Sequence, residues 1–372
     1  MLLFNAFYII FAALISLIIL FILKRKHKLN MTLIVSLFVY HTFFCFVYYY
    51  YVSNHGGDAL VYYRDAASPD LFFLERPVGT NFIKTLAYPL VQVFKMDFFT
   101  VGFFFSLFGF FGLILFYITV KENIGKSKLF TLVLFIPGLS FWTSFLGKDS
   151  LAFFAIGLIT FGLSKLNKRK GLIIMGLLLL FFIRPHIAFL IVFVAGFVIL
   201  TSSKSMALST KLFLSAGSLA FLILASGFVL EYVKMDSLSL ESVDSYVEKR
   251  ESYNTGGSGL DLSSYNMAMK MFTYLLRPLF VDSSGLMSLV VSAENLFYLI
   301  LFSLMLRKKF FRYMRRAPLL IKFNFYYAIS ALIVLSSTTP NLGIAIRQKS
   351  MFIVNLIMVV LFYLYSRKRI KR

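Results

Sequence analysis

The chain is expected to be an all-α, polytopic integral membrane protein with about eleven transmembrane helices. Three observations predict it. First, 59% of the 372 residues are hydrophobic, 18% are aromatic and only 15% are charged. With a mean hydropathy of +0.83, this lies outside the range of soluble globular domains. Second, the apolar residues run in stretches near the length of about 20 residues that a helix needs to cross a bilayer. Third, the charges sort by side. Of 38 Lys and Arg, 25 fall in alternate connections (24–28, 121–128, 165–170, 204–211, 307–322 and 367–372), where Glu122 is the single acid. The other connections hold 13 basic and 15 acidic residues. The formal charge of +22 is therefore a positive-inside signal, because Lys and Arg in short loops set orientation. It is not a nucleic-acid patch.

The eleven spans are read as 2–23, 31–52, 98–120, 129–146, 150–164, 171–183, 187–200, 212–230, 286–306, 319–336 and 350–365. The first lacks a basic n-region and its cations follow it, so it reads as a retained helix with an outer N-terminus. The C-terminus is then cytoplasmic, and its basic end resembles a stop-transfer flank that attracts anionic lipid. The whole chain reads as one membrane domain. Cys45 stands alone within a span, and the four His show no helical i, i+4 pair. Neither a disulfide framework nor a metal site is predicted, and no cofactor is called for.

Two outer connections are long. In 53–97, the stretch 81–95 is apolar, interrupted by Pro89 and edged by Lys84 and Lys95, which predicts a pair of interfacial helices. The connection 231–285 begins acidic and passes through Gly-Gly-Ser-Gly at 256–259. It then offers Ser263 or Ser264 as the N-cap of an amphipathic helix reaching Leu276. A glycine hinge before such a helix suits either a lid or a static cap.

The residues able to do chemistry lie almost entirely on the outer side. Asp58 follows Gly56 and Gly57 in GGDALVYY, where the glycines let backbone approach a ligand and Tyr62 adds a flat ring and a hydroxyl. Asp58 is either a general base or the cap of the next helix. Lys148 and Asp149 are wedged between apolar segments in FWTSFLGKDS, and charge at membrane depth costs about 2.5–3.5 kcal/mol per residue. The alternatives are a helix cap for Asp149 and snorkelling for Lys148. Arg184-Pro185-His186 interrupts an apolar stretch at what reads as the tip of a helical hairpin. Arg suits bidentate phosphate recognition, and His exchanges protons near neutral pH. Arg277 closes the amphipathic helix, Glu294 sits in the outer half of a span, and Arg347 and Lys349 follow NLGIAI. Glu294 is either functional or the ion-pair partner of one of these arginines. Outer cations with a few acids suit a polyanionic headgroup. Arg and Lys can stabilise a pyrophosphate leaving group while a carboxylate or His deprotonates an incoming hydroxyl.

GGDALVYY, SFWTSFLGKDS, RPH, SAEN and NLGIAIRQK together resemble the bacterial Wzy-type and EpsG-like polysaccharide polymerases of O-antigen, capsule and exopolysaccharide assembly, which are GT-C-like membrane glycosyltransferases. The resemblance implies transfer of a glycan from undecaprenyl pyrophosphate to a lipid-linked acceptor sugar, at the outer face of the bacterial cytoplasmic membrane. Membrane lipid and other polysaccharide-assembly proteins are the implied partners. Asp58 matches the acid such enzymes place in the first outer loop, and Arg184, Arg277 and Arg347 match their outer-loop arginines; Asp58, with Asp149 and His186 added on their chemistry alone, would be catalytic. Lys148, Arg184, Arg277, Glu294, Arg347, Tyr62 and Lys349 would bind substrate. Two other functions fit the same residues. One is a GT-C enzyme with a polyprenyl-monophosphate sugar donor; the other is a flippase or exporter of lipid-linked sugars, whose charges would line a path.

Overall fold

A computed structural model describes residues 2–68, 72–202, 208–235, 237, 239–252, 265–283, 285–339 and 341–370. Among them the regular structure is helical throughout. Six helices are long and apolar enough to cross a membrane, and eight spans result if each of two bent helix pairs counts as one. The number is lower than eleven because several apolar stretches break or stop short. The packing divides the chain into two compact units, Met1–Arg184 and Pro185–Arg372.

The first unit comprises α1 (Leu2–His27), α2 (Met31–His55), α3 (Asp58–Ala67), α4 (Thr80–Gln92), α5 (Phe98–Ile124), α6 (Lys128–Leu134), α7 (Pro137–Thr143), α8 (Lys148–Ser164) and α9 (Lys170–Ile183). Apolar all round, α5 is buried over most of its surface, as suits a core helix, with Phe104, Leu107, Phe108, Phe111 and Leu115 forming its less covered stripe. Its glycines are notches for neighbouring chain: a Cβ on Gly109 would lie 1.9 Å from the Thr143 carbonyl oxygen, and one on Gly102 2.1 Å from the Phe145 ring. Small residues let backbones approach in a membrane core, where packing rather than the hydrophobic effect drives association. Gly109→Ala is therefore expected to destabilise by about 1–3 kcal/mol. Gly217→Ala, with nothing within 4 Å of the added carbon, should leave the melting temperature in detergent unchanged or raised. Equal melting of the two variants would refute the close approach.

The stretch 129–146 is not one span. Ile136 is extended (φ −67°, ψ 121°), as the residue before a proline prefers, and Pro137 opens the separate helix α7. That helix meets α8 at a bend of 111°. The stretch 81–95 holds a single helix, α4, ending at Gln92, rather than a pair. Pro89 lies within α4 without ending it.

The two ends of this unit differ in charge. At one, Glu122 on α5 gathers His27 (2.7 Å), Lys165 (2.9 Å) and Arg169 (2.9 Å), and the Arg169 guanidinium stacks on Phe161 at 3.7 Å. At the other, Asp97 caps α5 through Thr100 N–H (2.8 Å) and its own N–H donates to Asn5 (3.1 Å). The basic connections meet at the first end, while Asp58, Lys148, Asp149 and Arg184 belong to helix termini at the second.

The second unit comprises α10 (Pro185–Ser202), α11 (Leu208–Val233), α12 (Leu240–Ser252), α13 (Met267–Leu276), α14 (Leu286–Ser303), α15 (Lys308–Arg316), α16 (Leu319–Thr338), α17 (Leu342–Gln348) and α18 (Ile353–Ile370). α17, with the turn that follows it, meets α18 at a bend of 56°. Tyr327 on α16 donates to the Met351 carbonyl at the bend (3.1 Å), and Asn355 on α18 donates to Asn324. The N-cap of α13 is Asn266, whose side chain accepts from Met269 N–H at 2.9 Å. Ser263, Ser264 and the glycines 256–259 lie outside the described residues. An Asn side chain caps as well as Ser, and Asn266 stands directly before the first helical residue.

Apolar side chains cover the outer faces of both units: Leu3 on α1 is 87% exposed and Leu224 on α11 is 85% exposed. Apolar surface on this scale suits a hydrocarbon solvent rather than water. The chain is a helical membrane protein.

Candidate functional site

In the first unit the decisive contact joins residues 35 positions apart. α8 and α9 pack antiparallel, with Gly176 so close to α8 that a Cβ would lie 2.7 Å from the Ala155 carbonyl oxygen. This brings the start of α8 to the end of α9. Asp149 in the first turn of α8 accepts from Arg184 Nη2 at 2.7 Å. Asp149 is 3% exposed and Arg184 is 9% exposed. Each charge also complements the helix end it occupies: the carboxylate lies at an N-terminus and the guanidinium at a C-terminus. Arg184 is therefore not the exposed tip of a hairpin. It is folded back against α8, because its charge is tolerable at this depth only beside a partner. Its Nε is also buried, and among the described residues that atom has no hydrogen-bond partner.

Lys148 precedes Asp149 at the bend and is half-buried. Asp58 opens α3 after Gly56 and Gly57, whose φ values of 75° and 142° explain why glycines occupy that turn. The Asp58 carboxylate is exposed, while Tyr62, one turn on, is buried. The first outer connection folds over the end of α9: Gly79 N–H donates to the Phe182 carbonyl at 2.7 Å, and the Phe82 and Phe182 rings stack at 5.3 Å. α3 is held against α4 by Lys84 and Asp65 (2.7 Å). Asp58 and the Asp149–Arg184 pair thus belong to the same end of the same unit.

The second unit has its own cluster. Lys349, at the bend between α17 and α18, is 4% exposed. Its Nζ donates to Asn295 Oδ1 (2.8 Å) and to the Leu275 carbonyl (3.2 Å). Glu294, next to Asn295 on α14, lies close enough to Lys349 for their charges to attract. Asn295 in turn donates to the Pro278 carbonyl at 2.9 Å. Beside it, Gln348 Oε1 accepts from Tyr274 and Thr339, each at 3.1 Å, which ties α17 to the end of α13. Arg347 is half-buried on α17. Arg277 forms a two-bond pair with Asp282, Nε to Oδ2 at 2.9 Å and Nη2 to Oδ1 at 2.7 Å. The Arg277 guanidinium holds the Asp282 carboxyl below the usual range. Asp282 also accepts from Leu279 N–H at 3.1 Å, so Arg277 closes a local loop. His186 opens α10, where its ring stacks on Tyr232 at 6.0 Å.

Several of these partners are not singled out by sequence reasoning. Asn295 accepts from Lys349, and Gln348 and Tyr274 bond each other beside it; polar residues adjoining Glu294 and Lys349 within apolar stretches are the available signal. Glu122 is signalled by being the one acid in the basic connections. Among the described residues, no group of three or more His, Cys, Asp or Glu is placed to hold a metal ion. Comparison of the chain with known family models, with curated proteins and with solved structures finds no match.

Proposed function

We propose that this chain is a membrane glycosyltransferase that polymerises lipid-linked oligosaccharide repeat units at the outer face of the bacterial cytoplasmic membrane. It would transfer the growing glycan from undecaprenyl pyrophosphate to a hydroxyl of the acceptor sugar. The observation that carries the reading is Arg184, buried at the end of α9 with Nη2 on Asp149 and Nε unpartnered. A guanidinium oriented by a carboxylate and keeping a donor in reserve suits a phosphate oxygen. The flanking Lys148 adds positive charge.

In this reaction the acceptor hydroxyl oxygen attacks the anomeric carbon and the bond from that carbon to the pyrophosphate oxygen breaks. The pyrophosphate leaves with the electron pair, neutralised by Arg184 and Lys148. The hydroxyl proton passes to the Asp58 carboxylate. In this reading the N-terminus and both long connections lie outside, with the basic connections in the cytoplasm. The test is the lipid-linked glycan profile of a strain carrying Asp58→Asn, beside deletion and wild type. Single repeat units accumulating on the lipid outside the membrane are expected. Polymer of wild-type length would remove Asp58 from the reaction.

One observation favours a transporter of lipid-linked sugars as a second reading. Each unit contains a broken apolar helix with a buried charge beside the break, Asp149 near the 111° bend and Lys349 at the 56° bend. Discontinuous helices of this kind bind substrate in transporters. Movement of labelled lipid-linked sugar across liposomes by the purified protein, without chain growth, would select this reading over polymerisation.

A further inference from the structure

The helix α15 has no part in the chemistry above, yet its residues are among the most unevenly distributed in the chain. Phe310 and Met314 are four positions apart and so share one face. Both are buried, and Phe310 packs edge-on to Tyr363 of α18 at 5.4 Å and meets Phe325 of α16 at 5.8 Å. The rest of the segment is turned outward. Arg307, Lys308, Lys309, Arg312, Arg315 and Arg316 are all exposed. No hydrogen bond or ion pair joins these six cations to an acid among the described residues. The sequence has none to offer nearby, because no Asp or Glu follows Glu294. Apolar groups are exposed beside them, Phe311 at 56% and Leu306 at 81%.

The placement of the segment gives this pattern its meaning. It links Leu286–Leu306 to Leu319–Thr338, two helices that are each long and apolar enough to cross a membrane. A nine-residue helix between two such spans lies where hydrocarbon gives way to headgroups. Cations with adjacent apolar side chains at that level match a lipid surface, with the cations on phosphate and the rings among the upper acyl carbons. An acidic soluble protein would match the cations and leave Phe311 and Leu306 uncovered.

We infer that α15, with Arg307, is a docking surface for anionic phospholipid, anchoring the second unit at one membrane boundary. This is independent of the glycosyl-transfer reading. The test uses the purified full chain in detergent and counts bound phosphatidylglycerol against phosphatidylcholine by native mass spectrometry. Wild type is expected to prefer phosphatidylglycerol by about tenfold or more. The variant Lys309→Gln/Arg312→Gln/Arg316→Gln should lose most of that preference. Lys24→Gln/Arg25→Gln/Lys26→Gln, which removes as much charge from the end of α1, should keep it. Glycerol phosphate at matched concentration should not displace the lipid. The inference is overturned if the α15 variant retains the preference, if both variants lose it equally, or if glycerol phosphate competes. The three replaced side chains are exposed, and elution as a single species would confirm that each variant is folded.

Discussion

Arg184→Ala is expected to abolish polymer and to lower stability, and the two effects should separate when Asp149 is changed as well. The pair is buried, so removing either partner leaves an uncompensated charge, at a cost of about 3–5 kcal/mol. Replacing both partners by apolar residues of similar size, Asp149→Leu with Arg184→Met, removes both desolvation penalties and should recover most of that loss. Activity should not recover, because the phosphate-facing donors are gone. The check is the melting temperature of the purified protein in detergent, set beside polymer length in cells. If the double variant regains both, the pair is a structural strut and the proposed site loses its centre. Arg184→Lys should rescue poorly, since an ammonium has no planar fork to hold Asp149 and a phosphate together.

Lys349→Met is expected to fold with a lowered melting temperature. Methionine approximates the lysine stem, so the buried space stays filled while the charge disappears. Two acceptors then lack a donor, Asn295 Oδ1 and the Leu275 carbonyl, at about 1–3 kcal/mol for an unsatisfied buried group. Removing a buried cation offsets part of that loss. Asn295→Ala makes the opposite change, leaving the cation in place without its side-chain acceptor. It should lower the melting temperature more than Lys349→Met does. The reverse order would mean that the two hydrogen bonds from the ammonium, which tie α14 and the end of α13 to the α17–α18 bend, outweigh the cost of burying its charge.

Two kinds of information are legible in the amino-acid sequence. Helix formation is one, since long apolar stretches have few alternatives in a bilayer, where every backbone polar group must be satisfied within the segment. The cost of buried charge is the other. Asp149, Arg184 and Lys349 stand out because each interrupts apolar sequence, and all three are more than nine-tenths buried. The glycines before Asp58 are also readable, because the positive φ angles of that turn favour residues without a Cβ. Arg277 shows what such reasoning leaves out. Its residue type suits phosphate, while Asp282, five positions away, takes one edge of the guanidinium through Nε and Nη2.

By itself, then, the sequence determined a helical chain with several apolar stretches of membrane-spanning length, and it identified the positions where a charge at membrane depth needs a reason. Those properties are local, set by composition, period and loop charge. Only the tertiary structure decided that Arg184 belongs to Asp149, that Lys349 rests on Asn295, that 129–146 folds as two short helices, and that Asn266 rather than a serine caps α13. Partner choice depends on which helix ends meet. That is set by side-chain volume along whole interfaces, such as the contact of Gly109 with Thr143 or of Gly176 with Ala155, and no short motif records it.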